Sequence, residues 1–442
     1  MIRLTWVQPE DLVGHELRQA GQDGRDVAEI AARWRAAGGH DAPPRAGASP
    51  APAGPALAAL AEEILDELAA LESPLDEPSD LADIVAACPR WPSGSRRPAD
   101  PDRMLGAWRG RAAGCVLGKP VEKIPRAGIR EIAEATGNWP VRGWFTAVGL
   151  PAEVAGRWPW NRRSAATSLA ENIAGVPEDD DLNFPLLALA VLERHGRGFG
   201  TDDVARTWLD ELPGGRVFTA ERIAYRNLLA GLEPPATAVH RNPFREWIGA
   251  LIRADVYGWV NPGDPGAAAG MAWRDARLSH TANGIYGAMF AAAMCAAALV
   301  AADAEEVVAA GLSVVPERSR LAAAVRHAVT TARAEPDFER VLDALHERHA
   351  GLHWVHTVNN AALVAATLVH ARGDFTAAIA GAVAGGWDTD SAGATAGSVA
   401  GALAGAGAIP ERWAMENRLA SSITGFDGIG LDELARRTLE VQ

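Results

Sequence analysis

The segment SAGATAGSVAGALAGAGAI, residues 391–409, constrains this chain more than any other. Small residues recur there at every third or fourth position, so a helix over 391–405 has a face that another helix backbone can approach closely. Such a helix belongs at the centre of a bundle. A second apolar stretch, GIYGAMFAAAMCAAALVAA at 284–302, points the same way. Both are dominated by Ala and Gly, and neither has anchoring Trp or Arg at both ends. They read as buried helices of a soluble bundle, not as membrane spans. From about residue 101 the helical patterns follow one another, at 102–118, 180–196, 220–232, 319–334, 337–350, 360–372 and 374–386. No stretch alternates with period 2 between turn signals, so residues 101–442 are expected to form one all-α multi-helix domain.

Residues 1–100 read differently. RLTWV (3–7) suggests a short strand, and PEDLVGHELRQAG and DVAEIAARWRAAG two short amphipathic helices. A Pro/Ala/Gly loop at 42–56 precedes a helix at 57–71, and a Pro-rich connector marks a boundary near residue 100. This mostly helical extension carries no recognisable chemistry; its expected role is to pack on, lid or oligomerise the main domain.

The formal charge of −14 argues against a general nucleic-acid or anionic-membrane binder. Cys88, Cys115 and Cys295 are too few and scattered for a disulfide framework, which suggests a reducing compartment. MIRLTWVQPED shows no charged n-region leading into an apolar h-region, so the expected location is cytoplasmic. Basic residues are almost all Arg, Lys119 and Lys123 being the lysines, which with the abundance of Ala suggests a GC-rich bacterial gene.

Two acidic clusters stand out, each placed just before an apolar helix. Glu178, Asp179, Asp180 and Asp181 precede LNFPLLALAVL, and Asp388 and Asp390 lie in GGWDTDS ahead of the Ala/Gly helix. Capping a helix uses one or two acids, whereas four consecutive carboxylates repel one another. If the two helix starts meet, up to six carboxylates converge, an arrangement prohibitive in a folded core without cations. Hard divalent ions resolve it, and Mg²⁺ or Mn²⁺ suits carboxylates joined by a Ser or Thr hydroxyl.

The segments GRAAGCVLGKPVE (110–122), PEDDDLNF (177–184), LSHTANGIYGAMFAAAM (278–294) and GGWDTDSAGATAGSVAGALAGAGAIPERW (385–413) resemble, in order, the motifs of the ADP-ribosylglycohydrolase family. The resemblance covers roughly 101–442 and implies an all-α fold with a binuclear Mg²⁺ site. The family's Thr-Asp-Asp-Thr falls on Glu178 to Asp181, so that Asp179 and Asp180 match and acids replace both threonines. Its Gly-Asp-Thr-Asp-Thr falls on Trp387 to Ser391, with Asp388, Thr389 and Asp390 matching, Ser391 keeping the hydroxyl and Trp387 replacing glycine. The Gly-Asp-Ala-Leu-Gly-x-x-x-Glu pattern falls on Gly114 to Glu122, with Cys115 where Asp is usual and Glu122 matching a mobile-loop acid. His280 matches a histidine lining the ADP-ribose cleft, and Arg253 sits near the family's Met-Arg segment.

The resemblance thus implies two Mg²⁺ ions (Mn²⁺ the alternative) held by Glu178, Asp179, Asp180, Asp388, Asp390 and Ser391. It implies hydrolysis of a glycosidic bond at C1 of a ribose, with Glu122 or a metal-linked Asp (Asp179 or Asp388) deprotonating water. His280, Arg253, Trp387 and Asp181 are the expected substrate contacts. The expected substrate is an ADP-ribosylated protein or an ADP-ribosyl small molecule. A nucleoside-like or phosphoribosylated metabolite is the alternative within the enzyme class, and a non-catalytic, crystallin-like homologue the alternative outside it. His346, His349, His353 and His356 crowd together but lack a Glu-x-x-His arrangement and read as a polar helix end. Cys115 reads as a buried small residue.

Overall fold

The computed structural model describes residues 3–42 and 47–442. The extension contributes α1 (Pro9–Gln22), α2 (Ala28–Ala36) and α3 (Pro55–Ala70). The main body follows with α4 (Pro101–Gly118), α5 (Asp180–His195), α6 (Pro265–Ala276), α7 (Ala282–Ala298) and α8 (Arg320–Ala334). It ends with α9 (Thr357–Ala371), α10 (Phe375–Ala384), α11 (Thr389–Ala404) and α12 (Leu431–Glu440). Further helices and turns connect them. Among the described residues β pairing is confined to isolated bridges such as Val176 with Leu419, so the protein is all-α. RLTWV, read as a strand, is an irregular segment with a turn at Thr5–Trp6, because no neighbouring strand completes a ladder. Part of the 42–56 loop, residues 43–46, lies outside the described residues.

The centre of the bundle is the antiparallel pair α4 and α11. Gly106, Gly110, Gly114 and Gly118 recur every fourth residue on α4, and Gly393, Gly397 and Gly401 do so on α11. A Cβ at Gly110 would lie 2.0 Å from the Gly397 carbonyl oxygen, and a Cβ at Gly397 2.1 Å from that of Gly110. The same reciprocal contact joins Gly106 to Gly401 and Gly114 to Gly393. The two backbones touch along three successive turns, an approach that any side chain would hold apart. Both helices of the apolar stretches, α7 and α11, are buried almost throughout. Among the described residues no helix is long and apolar enough to cross a membrane.

Local sequence explains where the key helices start. Asp100 caps α4, accepting from the Asp102 N–H at 2.9 Å, with Pro101 in the first turn. Asp179 caps α5 in the same way through the Asp181 N–H at 2.9 Å. Before α11 the chain turns at Gly386, with φ of 71°, where a Cβ would also meet the Arg126 backbone nitrogen at 2.6 Å. Pro185 sits in the second turn of α5 and cannot donate to the Asp181 carbonyl. The Nε of Arg111, on α4, takes that carbonyl at 2.7 Å.

A buried polar network joins the first hundred residues to the body. Arg245 donates to Glu16 at 2.8 Å and to Asp23 at 2.7 Å, while Gln19 donates to Glu246 at 2.7 Å. Arg320 reaches both Glu77 at 2.6 Å and Glu246 at 2.8 Å. Around it Trp6, His15, Phe244, Trp247 and His353 form an aromatic cluster, in which His353 stacks on Trp247 with ring centroids 4.2 Å apart.

Two substitutions test these contacts. Gly397→Ala is expected to lower unfolding free energy by about 1–3 kcal/mol through backbone overpacking. Gly270→Ala, in α6 with no atom within 4 Å of the added methyl, should raise it by about 0.5–1 kcal/mol. Chemical denaturation of both variants distinguishes close contact from generic glycine effects. Arg245→Met leaves Glu16 buried without its cation and takes from Asp23 its nearest one, Arg25 and Arg320 remaining at 3.7 Å, and is expected to cost about 3–5 kcal/mol in the same measurement.

Candidate metal and active site

Because α4 and α11 run antiparallel in contact, the end of α4 meets the start of α11. The Thr389 hydroxyl donates to the Gly118 carbonyl at 2.9 Å, and a Cβ at Gly118 would meet Thr389 backbone atoms. The start of α5 reaches the same place through Arg111, so three helix ends bring the two acidic runs together. The Ser391 hydroxyl donates to Asp181 Oδ2 at 3.3 Å, a direct link between the runs. Asp388 and Asp390 are nearly buried, and Asn360 Oδ1 accepts from the Asp388 N–H at 3.2 Å.

The acids of this cluster differ in what they face. Both oxygens of Glu178 are engaged: Oε1 accepts from Asn183 and from the Ser422 N–H, each at 2.9 Å, and Oε2 is ion-paired with Arg216. Asp179 is engaged on both sides as well, by the Lys119 ammonium at Oδ2 and by the Asp181 N–H at Oδ1. Lys119 Nζ also donates to the Glu178 carbonyl at 3.2 Å. Asp181 is fully buried, lies 3.7 Å from the Arg111 guanidinium and has an Oδ1 with no hydrogen-bond partner. Arg111 itself is shared with Asp255 at 2.7 Å. Asp180, Asp388 and Asp390 have no Lys, Arg or His nitrogen at ion-pairing distance among the described residues.

This inventory sets the proton affinities. Burial raises the Asp180 and Asp181 carboxyls well above the carboxylate range, and the neighbouring Asp179 and Asp390 charges raise them further. Burial, then Asp390, does the same to Asp388. Burial, then the Glu122 and Asp179 charges, pushes Asp390 up to about 7. Asp179 goes the other way: burial, the largest influence, would raise it, but the Lys119 charge together with hydrogen bonds from Lys119, the Asp181 N–H and Asp180 holds it below its ordinary value. Burial also lifts the Cys115 thiol well above its usual range. Cys115 Sγ and one oxygen each of Asp179 and Asp181 lie within 4.8 Å of one another, a possible metal-binding group. An unpartnered buried carboxylate oxygen beside three unpaired acids is a donor set that fits a hard divalent cation.

The remaining expected site residues fall into two places. Glu122 lies at the cluster's partly open side, 2.8 Å from Lys123 and close enough to raise Asp388 and Asp390. Trp387 borders the acids, but its ring stacks on His346 at 4.3 Å and meets His349 edge-on. Arg253 and His280 belong to a separate buried network. Arg253 is ion-paired with Glu221 and Asp275 and donates to Ser279 at 2.8 Å, while the His280 ring nitrogen Nδ1 is 2.8 Å from that hydroxyl. The four clustered histidines form no common site: His346 and His349 both contact Trp387, His353 stacks on Trp247, and His356 lies 3.6 Å from Glu246.

Sequence reasoning missed the cations. Lys119, Arg111 and Arg216 decide which acids are left unpaired. Lys119 had a visible signal, since both lysines of this Arg-dominated chain fall beside the site, and Cys115 and Lys119 share a helical face at i,i+4 spacing.

The structure is an all-α bundle in which two acidic helix starts meet. The family model described as ADP-ribosylglycohydrolase matches residues 96–442, and this chain belongs to that family. Among solved structures, a chain titled "ADP-ribosylglycohydrolase-related protein complex" is 24% identical, with 77% of this chain and 97% of that chain covered and a TM-score of 0.46. No curated protein matches.

The raised carboxyls make stability pH-dependent. A carboxyl whose folded pKa lies above its unfolded value binds its proton more readily when folded, so it stabilises at low pH and loses that contribution as pH rises. For Asp390 the window runs from 3.8 to about 7. In EDTA, the melting temperature is expected to fall between about pH 5 and pH 8, and added Mg²⁺ or Mn²⁺ to reduce that fall. Differential scanning fluorimetry across this range checks it; a melting temperature that rises with pH in EDTA contradicts the assignment.

Proposed function

We propose that this chain is a divalent-cation-dependent hydrolase that cleaves the glycosidic bond at C1 of an ADP-ribosyl group on a protein or small molecule. The observation that carries this reading is the convergence of Asp180, Asp181, Asp388 and Asp390, unpaired or underpaired, at the meeting point of three helix ends. Asp180, Asp388 and Asp390, with Asp181 and the Ser391 hydroxyl beside them, are the residues that would hold Mg²⁺ or Mn²⁺. Such an ion supplies Lewis-acid polarisation and a template for ribose hydroxyls and water.

The chain's own groups account for the rest of the chemistry. Glu122, held by Asn161 and Lys123 beside the cluster, takes a proton from the water that attacks C1; the bond to the leaving group breaks with its electron pair passing to the leaving atom, which takes up a proton in turn, from Glu122 or solvent. The carboxylates on the inner side favour the oxocarbenium character that develops on the sugar. Trp387, fixed by His346, forms an aromatic wall of the site. Arg253 and His280 act on substrate only by supporting the bundle behind it, because their polar atoms are directed to Glu221, Asp275 and Ser279. The first hundred residues serve as an extension packed on the 101–442 domain through Arg245 and Arg320.

One specific feature favours a second reading within the same chemistry. Trp387 and Cys115 stand where the family pattern has Gly and Asp, which changes the shape and charge of the pocket and favours a nucleoside-like or phosphoribosylated substrate.

A substrate panel with and without EDTA decides between them: ADP-ribosyl-arginine, ADP-ribosyl-serine, O-acetyl-ADP-ribose and ribonucleosides. The expected result is release of ADP-ribose from one of the first three, lost in EDTA. Asp388→Asn is expected to reduce the rate by at least about a hundredfold and to abolish Mn²⁺-dependent thermal stabilisation. Turnover of ribonucleosides alone favours the second reading. Ion binding with no turnover of any member favours a non-catalytic protein.

A further inference from the structure

The acid cluster already contains a cation. Lys119 projects from the turn that ends α4, is nearly buried, and pairs its ammonium with Asp179 Oδ2 while donating to the Glu178 carbonyl. The other Asp179 oxygen is taken by the Asp181 N–H, and both Glu178 oxygens are taken by Arg216, Asn183 and Ser422. On this side of the cluster, therefore, each oxygen of Glu178 and Asp179 already has a partner in the chain, and their charge is matched by cations of the chain itself; an ion on Asp179 would have to share an oxygen with Lys119 or with the Asp181 N–H. One helical turn before Lys119, the position facing Asp179 and Asp181 carries the Cys115 thiol, not a carboxylate. Among the described residues Asp180, Asp388 and Asp390 have no cation at ion-pairing distance, although Asp390 Oδ1 accepts from the Ser391 N–H at 3.1 Å, and Asp181 Oδ1 has no hydrogen-bond partner but lies 3.7 Å from Arg111. Three to four carboxylates with one neighbouring hydroxyl suit the oxygen shell of a single hard ion completed by water. A second ion would have to draw on Asp179 or Glu178, whose oxygens the chain itself already engages.

We propose that the Lys119 ammonium takes the place of one of two cations in this cluster, so that the chain holds a single divalent ion on the Asp180, Asp388 and Asp390 side, with Asp179 acting as the counter-ion of Lys119. This rests on the reading of the cluster as a divalent-cation site. It assigns Lys119 as a positioning residue: it fixes Asp179 and, through the Asp179 cap, the start of α5 on which Asp180 and Asp181 stand. An ammonium is compact and holds its charge at one point, which fits a space between a carboxylate and a carbonyl better than a planar guanidinium does.

The test is Mn²⁺ binding to the full-length protein, counted by electron paramagnetic resonance titration and by isothermal calorimetry. The wild type is expected to bind one ion per chain. Lys119→Met frees Asp179 and is expected to bind two, with circular dichroism confirming the helical fold. Lys119→Arg keeps the positive charge and is expected to stay at one. Two ions in the wild type overturn the proposal about Lys119 but leave the cation site standing. No Mn²⁺ bound by the wild type or by either variant overturns the cation site itself and the proposal with it. One ion in Lys119→Met overturns the assignment of Lys119, and if that variant fails to fold, Lys119→Gln is titrated in its place with the same two outcomes.

Discussion

Backbone contact between two helices governs this molecule. Where Gly106, Gly110 and Gly114 meet Gly401, Gly397 and Gly393, carbonyl oxygens of one helix lie where the other would carry a Cβ. Contact of this kind fixes separation, direction and register together. A one-residue slip would set an Ala against a carbonyl, and interiors packed this closely do not absorb that change. The register in turn sets Gly118 against Thr389, which brings Cys115, Lys119 and Glu122 to the acids of the following helix start. The site is thus a consequence of the packing of two helices whose sequences are otherwise nearly featureless.

The second tie is polar. Pro185 removes one rung from the first turns of α5, and the carbonyl it leaves open, that of Asp181, is filled by Arg111 from α4. A helix interior normally tolerates proline poorly because of that missing bond. Here the freed acceptor becomes the attachment point between the two helices, and the same guanidinium stands beside the Asp181 carboxylate. The Arg111 side chain, fully buried and bonded also to Ile252 and Asp255, is held from three directions. Its position is determined before any ligand arrives.

Much of this was legible in the sequence, for identifiable reasons. The stripe of small residues at 391–405 announced a central helix because its signal is periodic and local. The acid runs announced themselves because consecutive carboxylates are costly, so their presence demands an explanation. RLTWV misled because five residues of β-forming character carry no information on whether a partner strand exists. The pairing of acids with cations was not legible, since Arg216 lies 38 residues from Glu178 and Lys119 lies 60 from Asp179, and no local pattern records which side chains meet. Arg253 illustrates the same limit: proximity to a family segment suggested a substrate contact, whereas Glu221 and Asp275 claim its donors.

These observations give the charge of −14 a structural meaning. Most acids on the surface are solvated and cost little, but those at the meeting of α4, α5 and α11 are removed from water and must be compensated. The chain compensates them unevenly, with Arg216, Lys119 and Arg111 paired to Glu178, Asp179 and Asp181 and, among the described residues, no cation at ion-pairing distance from Asp180, Asp388 or Asp390. Uniform compensation would have made an inert salt-bridged core, and none would have opposed folding. Leaving one side short of positive charge while the other is satisfied lets the bundle fold around a preorganised shortage, the side on which the proposed cation would sit. The dependence runs in one direction: glycine contacts set the register, Arg111 and Lys119 fix the start of α5, and the acids left over are those short of a partner.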